Sequence, residues 1–311
     1  MQMTKSSLYA GVGGIDLGFH QSGFNTIWAN EYDKNSAKTY TSNFSNKIYV
    51  QDIITLDKSV MEYTDVLTAG FPCQSFSIAG YREGFRDPRG QHFFHTMDVV
   101  KTVKPKCILL ENVKNLTSHN KGETMQIIDE EINKSGYSCQ WKVLNSMNFG
   151  VPQNRERVYI VCFRKDLNII NFEFPKPIEL KTSVHDLLEE KVDIKYYYTK
   201  KYNCSQQIID SIDDKFAVYQ WRRKYLRKNK SGVCPTLTAN MGTGGHNVPI
   251  IYDGTGVRKL TPRECFRIQG FPDSFILPDI SDSFLYYQAG NSVTIPVIKM
   301  LSNEISKCLC D

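Results

Sequence analysis

A cysteine on a predicted turn is the first residue of this sequence that could do chemistry. Cys73 stands in the segment Gly-Phe-Pro-Cys-Gln at 70–74, directly after the apolar run at 65–69. Open α/β sheets carry their reactive groups at the carboxyl ends of strands. A thiol at such a place is a nucleophile if a nearby cation or a helix N-terminus lowers its pKa. Cysteine is also a common small core residue, so Cys73 alone leaves both interpretations open.

One acid and two arginines could assist such a thiol. Glu111 follows the apolar run at 107–110, so we expect it at a strand's carboxyl end near Cys73. An acid placed there can donate a proton to a ring nitrogen. Arg155 and Arg157 stand two residues apart where a strand is predicted to begin, so both would project to one face. A surface ion pair with Glu156 is the alternative role for these arginines.

A glycine turn and two acids predict a second site. The segment 8–14 (Leu-Tyr-Ala-Gly-Val-Gly-Gly) follows the first predicted strand and opens the first predicted helix, where glycine lets the backbone approach a ligand. Glu31 ends the second strand, where a carboxylate can accept hydrogen bonds from ribose hydroxyls. Asp52 could meet an adenine amino group. The third glycine of the dinucleotide fingerprint is missing, and either acid could be a solvated or capping residue. Together they indicate a nucleoside pocket for NAD or S-adenosylmethionine.

The elements that must position these residues alternate along the first 165 residues, as in a parallel sheet. The predicted strands are 7–10, 26–30, 47–50, 66–69, 107–110, 140–144 and 157–163, and the predicted helices are 14–21, 34–43, 92–102 and 123–134. From about 186 to 285 the sequence is polar, glycine-rich and basic without a clean period, and 286–301 returns to a helical pattern. We therefore predict a Rossmann-like α/β domain with a mostly parallel sheet over 1–185, a smaller irregular domain and hinge over 186–285, and a C-terminal helix over 286–311 that returns to the first domain.

Composition limits the class of protein. A chain of 311 residues, 41% of them hydrophobic, can bury a sizeable core. Its nine cysteines are an odd number without a C-x-x-C pair, which argues against a disulfide framework and a structural zinc and fits a reducing cytoplasm. No apolar run approaches the roughly 18 residues of a membrane helix. We expect a cytoplasmic protein that binds no metal and no membrane.

Positive charge is concentrated in the segment 219–230. Six of its twelve residues are Lys or Arg, none is acidic and three are aromatic, so this segment alone exceeds the net charge of +5. A charge run is usually a solvated face, but interleaved aromatic residues favour a nucleic-acid groove. In the glycine-rich segment 234–247 that follows, Thr236 and Thr238 would share one face if the segment begins as a strand. This region is the predicted target-recognition region.

The order of these motifs resembles that of the DNA (cytosine-5) methyltransferases. The resemblance runs through residues 9–14, 30–32, 52–53, 70–74, 111–113, 153–157, 258–265 and 289–293, and covers nearly the whole chain outside the basic insert. The Pro-Cys-Gln and Glu-Asn-Val elements in this order are highly specific. Many members carry Asp where this chain has Ser7, and Tyr9 replaces the commoner Phe.

The resemblance implies site-specific methylation of carbon 5 of cytosine in double-stranded DNA, with S-adenosylmethionine as the methyl donor. Cys73 would add to carbon 6 of a flipped base, Glu111 would act at ring nitrogen 3, and Arg157 with Arg155 would hold the carbonyl oxygen. The implied donor-binding residues are Tyr9, Ala10, Gly11, Val12, Gly14, Glu31, Tyr32, Asp52, Ile53, Pro72, Asn291 and Val293. The predicted DNA-binding residues are Arg82, Arg89, Arg222, Arg223, Lys224, Arg227, Thr236 and Thr238.

Three other functions stay open. A transfer-RNA cytosine-5 methyltransferase would share the chemistry, although the basic insert favours DNA. An NAD-dependent oxidoreductase rests only on the glycine turn and Glu31, and an inactive DNA-binding relative is opposed by the intact Cys73, Glu111 and Arg157. We expect a monomeric enzyme that is either the modification enzyme of a restriction-modification system, with a cognate endonuclease that need not touch it, or a solitary host or phage enzyme. The insert resembles members that read short GC-rich palindromes.

Overall fold

The computed structural model describes residues 2–72, 91–199, 204–222, 224–229, 231–242 and 248–310. They form two compact units. The first consists of the chain up to Leu144, Glu156–Lys176 and the chain from Val297 on, and the second consists of Asn145–Arg155 and Pro177–Pro296. The boundaries at 176/177 and 296/297 differ from the predicted 185/186 and 285/286. The segment 145–155 joins the second unit because its backbone and side chains hydrogen-bond there, as in the 2.9 Å bond from the Ile178 N–H to the Asn148 carbonyl.

A seven-stranded sheet forms the centre of the first unit. Its strands lie in the order β3-β2-β1-β4-β5-β8-β6. Strands β1 to β5 are parallel to their neighbours, and β8 runs antiparallel to β5. The strands are β1 (Thr4–Leu8), β2 (Asn25–Glu31), β3 (Lys47–Val50), β4 (Val66–Ala69), β5 (Cys107–Val113), β6 (Tyr137–Asn145) and β8 (Glu156–Arg164). This confirms the predicted α/β class with a mostly parallel sheet. The strand β4 is buried throughout, as expected for a strand covered on both faces.

Helices follow the strands of this sheet. Those in the described part of the first unit are α1 (Gly14–His20), α2 (Lys34–Thr41), α3 (Gln91–Val103), α4 (Glu123–Lys134) and most of α8 (Ile295–Cys310). Gly18 on α1 leaves room for α8, since a Cβ there would lie 2.6 Å from the Cγ2 atom of Ile298. None of the helices in the described ranges has the length and hydropathy that a membrane-spanning segment requires.

The second unit contains a small antiparallel sheet that the sequence did not reveal. Its strands lie in the order β10-β9-β12-β13. They are β9 (Tyr219–Arg222), β10 (Tyr225–Lys228), β12 (Ile250–Tyr252) and β13 (Val257–Lys259). A second, two-stranded sheet joins β7 (Gln153–Asn154) to β11 (Cys234–Pro235), and the helices are α5 (Ser205–Asp210), α6 (Pro262–Ile268) and α7 (Asp282–Asn291). Strands of two to four residues are too short to produce a readable alternation.

The C-terminal helical pattern is divided in two. The sequence predicts one helix-like stretch over 286–301, whereas the structure has α7 ending at Asn291 and α8 beginning at Ile295. Pro296 explains the break. Proline lacks a backbone N–H and is tolerated in the first turn of a helix but not in its interior, so a new helix starts there.

Candidate active site

The glycine turn between β1 and α1 is shaped by left-handed backbone. Tyr9, Gly11 and Gly13 have φ angles of 54°, 57° and 87°. A Cβ on Gly13 would lie 2.3 Å from the Phe44 ring, so only glycine fits there. A Cβ on Gly11 would meet nothing within 4 Å. The Phe44 ring therefore packs against the turn at Gly13. At Gly11 the turn borders open space, where a ligand can approach the backbone.

Glu31 is bound to this turn through its carboxylate. One carboxylate oxygen accepts the Gly11 N–H and the other accepts the Asp33 N–H, both at 2.8 Å. Burial raises the pKa of Glu31, and hydrogen bonds from the backbone N–H groups of Asp33, Gly11 and Tyr32 offset part of that effect. The two oxygens together offer about four lone-pair sites, so the carboxylate can still accept another donor. Paired hydroxyl groups are such donors, so this carboxylate fits the ribose of a nucleoside.

Asn30 positions the strand ends around Glu31, a role that the sequence reasoning missed. Its side-chain amide donates to the carbonyls of Tyr49 and Gln51, at 3.0 and 2.8 Å. These bonds hold the ends of β2 and β3 together and so fix Glu31 relative to Asp52. Asparagine directly before a strand-end acid was the available signal, because a buried side-chain amide in a strand needs partners.

The remaining predicted donor-binding residues of the first unit differ in exposure. Tyr32 presents a ring that is 67% exposed, while Val12 and Ile53 are core side chains that can offer a ligand only backbone groups. Asp52 is exposed and accepts the Ile54 N–H at 3.0 Å. Tyr9 is half-buried and donates its hydroxyl to the His92 carbonyl at 2.9 Å, a bond that Phe could not make.

An acid and an arginine lie together at the end of β5. The Nε atom of Arg157 is 3.2 Å from Oε1 of Glu111, and their side chains are only 15% and 12% exposed. In the antiparallel pairing of β5 with β8, Glu111 lies opposite Tyr159 and Val113 lies opposite Arg157. The two charged residues are therefore diagonal neighbours on one face of the sheet.

This pair adjoins the start of the Pro-Cys-Gln segment. A Cβ on Gly70 would lie 3.7 Å from Oε2 of Glu111. The next residue of β5, Asn112, donates its side-chain amide to the Phe71 carbonyl at 2.9 Å. Asn112 thus fixes the backbone that leads into Cys73, which was not foreseen from the sequence. Pro72 is exposed. The predicted residues Cys73, Arg82, Arg89 and Arg223 lie outside the described residues.

Arg155 does not share a strand face with Arg157, so that prediction is wrong. Strand β8 begins at Glu156, and Arg155 lies in the short link after β7. Its guanidinium is buried and donates to the carbonyls of Leu237, Gly290 and Ser292 at 2.8, 3.1 and 2.6 Å. All three acceptors belong to the second unit, as Arg155 itself does. These contacts describe a residue that holds loops together.

The predicted DNA-binding threonines do not lie on a strand. Strand β11 ends at Pro235, before both threonines, so the condition under which Thr236 and Thr238 would share a strand face is not met. The Thr236 hydroxyl donates to the Asn154 carbonyl at 2.6 Å, and the Thr238 hydroxyl donates to the Asn240 side chain at 2.9 Å.

Three further predicted residues have clear positions. Asn291 is exposed at the end of α7 and Val293 is buried, both in the second unit. Lys224 is exposed in the turn between β9 and β10.

The cysteines in the described ranges all carry free thiols, and most of them are buried. Burial raises the pKa of Cys107, Cys162, Cys234 and Cys265, as expected for core residues. No group of three or more His, Cys, Asp or Glu side chains in this part of the chain could hold a metal ion.

Known proteins are similar to this chain over nearly its whole length. The sequence matches the profile of the C-5 cytosine-specific DNA methylases over residues 3–307. The type II methyltransferase M.Bsp6I of Bacillus sp. strain RFL6 is 52% identical over 311 residues, which cover 98% of each chain. The type II methyltransferase M.HhaI of Haemophilus parahaemolyticus is 38% identical over 317 residues, with 97% of this chain and 94% of that protein covered.

The fold has a solved counterpart. The crystal structure of a mutant of Spodoptera frugiperda DNMT2 superposes with a TM-score of 0.74 at 20% sequence identity, covering 99% of this chain and 100% of that chain. At this identity the likeness supports the fold alone. The sequence matches, by contrast, span nearly the whole chain, and so the chain belongs to the C-5 cytosine-specific DNA methylase family.

Proposed function

We propose that this protein methylates carbon 5 of cytosine at specific sites in double-stranded DNA, with S-adenosylmethionine as the methyl donor. The Glu111–Arg157 pair beside Gly70 supports this most directly, because it puts an acid and a cation next to the segment that carries Cys73. An NAD-dependent oxidoreductase, the alternative function, would not explain why Glu111 and Arg157 lie together at this place.

Each of these side chains has a defined role in the proposed reaction. The Cys73 thiolate adds to carbon 6 of the flipped base, and the electron pair of the 5,6 double bond becomes available at carbon 5. Glu111 supplies a proton or hydrogen bond at ring nitrogen 3, and Arg157 holds the carbonyl oxygen where negative charge develops. When bound, S-adenosylmethionine supplies an electrophilic methyl group. Loss of the carbon-5 proton then expels the Cys73 thiolate and restores the free enzyme.

The donor would be held at the glycine turn. Glu31 would accept hydrogen bonds from the ribose hydroxyls at the acceptor sites that its backbone N–H donors leave free. Asp52 would accept the adenine amino group, and the exposed ring of Tyr32 would cover the base. The chemistry requires no metal, because the sulfonium of the donor supplies a neutral thioether as the leaving group.

The β9–β10 hairpin offers a surface for DNA. Tyr219 and Trp221 of β9 are buried in the core of the second unit, so Gln220 and Arg222 lie on the opposite face of the strand, where Gln220 is also buried and Arg222 is exposed. Arg222 lies opposite Tyr225, and Gln220 lies opposite Arg227. Arg222 and Arg227 are exposed, and both donate to the Oε1 atom of Gln220, at 3.1 and 2.8 Å.

The Arg222 and Arg227 guanidinium groups are held side by side on Gln220, and the nearby Tyr225 ring is exposed. Such groups can contact DNA phosphates and base edges. We assign the DNA contacts of this hairpin to Arg222, Arg227 and the neighbouring Lys224. The likeness to M.Bsp6I, which is named a type II methyltransferase, supports a role as the modification enzyme of a restriction-modification system, beside an endonuclease that reads the same sites.

Four measurements test the proposal. Bisulfite sequencing of DNA from cells expressing the protein should reveal 5-methylcytosine at one recurrent short sequence. The purified protein should transfer methyl groups to duplex DNA and not to transfer RNA. The Cys73→Ala variant should still bind DNA but form no 5-methylcytosine, and a duplex with 5-fluorocytosine at the target should become linked to the wild type. Methylation by Cys73→Ala, or transfer confined to RNA, would contradict the proposal.

A further inference from the structure

A charged pair is buried beneath the glycine turn, where the catalytic scheme uses no charge. Lys5 on β1 and Asp16 on α1 are both fully buried, with 2.7 Å between Nζ and Oδ1. Burying an ion pair is costly unless hydrogen bonds complete it, and apolar replacements of such pairs are often neutral or stabilising. Stability alone therefore does not explain why the Lys5–Asp16 pair is buried beneath the glycine turn.

The pair is the centre of a network that joins three strands to one helix. Oδ1 of Asp16 accepts hydrogen bonds from Lys5 at 2.7 Å, from Ser7 at 2.8 Å and from Thr26 at 3.3 Å. The Ser7 hydroxyl also bonds Lys5 at 2.6 Å and the Thr68 hydroxyl at 2.9 Å. One carboxylate oxygen on α1 thereby connects to β1, to β2 and, through Ser7, to β4.

Each connected element carries part of the proposed site at its end. Strand β1 leads into the glycine turn, β2 ends in Glu31, and β4 leads through Gly70 toward Cys73. The glycine turn connects the end of β1 at Leu8 to the start of α1 at Gly14. The hydrogen bond from Ser7 to Asp16 joins these two elements close to both ends of the turn. A shift of α1 relative to β1 would move the Gly11 N–H away from the Glu31 carboxylate.

We propose that Asp16, together with Lys5, is a positioning residue for the methyl donor: it fixes the glycine turn relative to Glu31. The Asp16 carboxylate accepts a hydrogen bond from Ser7, which stands on β1 where many members of the family carry Asp. In this chain the carboxylate therefore comes from the helix and not from the strand. This inference rests on the donor site proposed above.

The test measures donor affinity directly, by calorimetric titration of the purified full chain with S-adenosylmethionine. Asp16→Asn should weaken binding by about tenfold or more, because small displacements of positioned groups are costly. The rate at saturating donor and the affinity for duplex DNA should stay close to the wild-type values. The matched control is Ile132→Ala, a fully buried residue of α4 away from the network, which should lower stability and leave the donor affinity unchanged.

Relocating the carboxylate supplies a second readout. Ser7→Asp combined with Asp16→Asn should recover most of the lost affinity, because Lys5 reaches both positions. If Asp16→Asn does not fold, Lys5→Met combined with Asp16→Leu takes its place, and that variant should fold and bind the donor weakly. Wild-type affinity in Asp16→Asn or in Lys5→Met combined with Asp16→Leu, a loss no larger than in Ile132→Ala, or no recovery in Ser7→Asp combined with Asp16→Asn would overturn the inference. Absence of donor binding by the wild type, or full binding by Glu31→Ala, would instead refute the donor site itself.

Discussion

Arg157 and Glu111 lie on neighbouring strands that run in opposite directions, with 3.2 Å between Nε and Oε1. The antiparallel course of β8 is what makes this contact. Arg157 stands at the beginning of its strand and Glu111 near the end of β5, yet both come to the same edge of the sheet. A parallel β8 would have put Arg157 at the opposite edge.

Arg157→Ala should reduce the rate of methyl transfer by about 10²–10³, the usual effect of losing one group that stabilises developing charge. Single-turnover methylation of duplex DNA measures this. The control is Lys114→Ala, which removes the same charge from an exposed pair with Glu156 and should leave the rate unchanged. If both variants lost the same fraction of the methylation rate, Arg157 would contribute only to the net positive charge of the protein and not to the stabilisation of the reacting base.

Glu111→Gln should lower the methylation rate by about 10²–10⁴, the range associated with loss of a general acid. Glutamine keeps the shape of the side chain but cannot transfer the proton. Affinity for S-adenosylmethionine should not change, because Glu31 and the glycine turn are untouched. A normal rate in this variant would remove Glu111 from the proposed chemistry.

Arg155→Ala should destabilise the second unit by about 3 kcal/mol, since it leaves buried carbonyls without donors. Urea unfolding followed by circular dichroism measures the change. Lys114→Ala, by comparison, should cost about 1 kcal/mol or less, because its ion pair with Glu156 is exposed to water. An Arg155→Ala protein that keeps its stability and loses its activity would restore Arg155 as a catalytic candidate.

Asp65→Asn should destabilise the protein at neutral pH and make no difference in strong acid. Burial by itself would raise the pKa of Asp65, but hydrogen bonds from Thr4 and Lys106 outweigh it and hold the pKa below its usual value. The contribution of such a carboxylate is complete above its unfolded pKa and disappears as the pH falls through the folded value.

We expect a difference of about 1 kcal/mol in the free energy of unfolding at pH 7 for Asp65→Asn. Urea unfolding of both proteins between pH 7 and the acid limit of folding should show the two curves converging. A difference that stays constant across that range would assign the effect to packing.

Arg227→Ala should weaken DNA binding and reduce the dependence of log K on log salt by about one unit, as for the loss of one phosphate contact. Lys228→Ala is the matched control. Lys228 is the next residue of the same strand and is already paired with Asp213 and Asp214, at 3.3 and 3.0 Å. Fluorescence anisotropy over a salt series measures both slopes, and identical slopes would argue against a DNA contact at Arg227.

Sequence reasoning succeeded where local pattern and tertiary structure agree. The strand Val66–Ala69 and the helix Glu123–Lys134 have the predicted bounds, because an apolar run and an amphipathic repeat define them locally. The first strand was predicted too late, at 7–10, because Thr4, Lys5 and Ser6 are polar and give no apolar run there. The strand begins at Thr4, and Asp16, supplied from the next helix, accepts hydrogen bonds from the buried Lys5 and Ser7 side chains.

The site was predictable in its residue types but less so in their arrangement. Glu31 and Glu111 lie at strand ends as expected, since parallel strands bring their carboxyl ends to one edge. The sequence could not predict that Arg155 and Arg157 lie apart. Side chains alternate between the two faces only within a strand, and β8 begins between these two residues, at Glu156. The partners of Asn30 and Asn112 depend on distant segments that no local pattern specifies.

The contact between Gly13 and Phe44 limits how this enzyme can be adapted to synthetic cosubstrates. The ring blocks any movement of the Gly13 backbone toward Phe44, so the turn cannot gain space for a bulkier cosubstrate in that direction. Engineering for enlarged cosubstrates should therefore leave Gly13 and Phe44 unchanged and use the open space at Gly11.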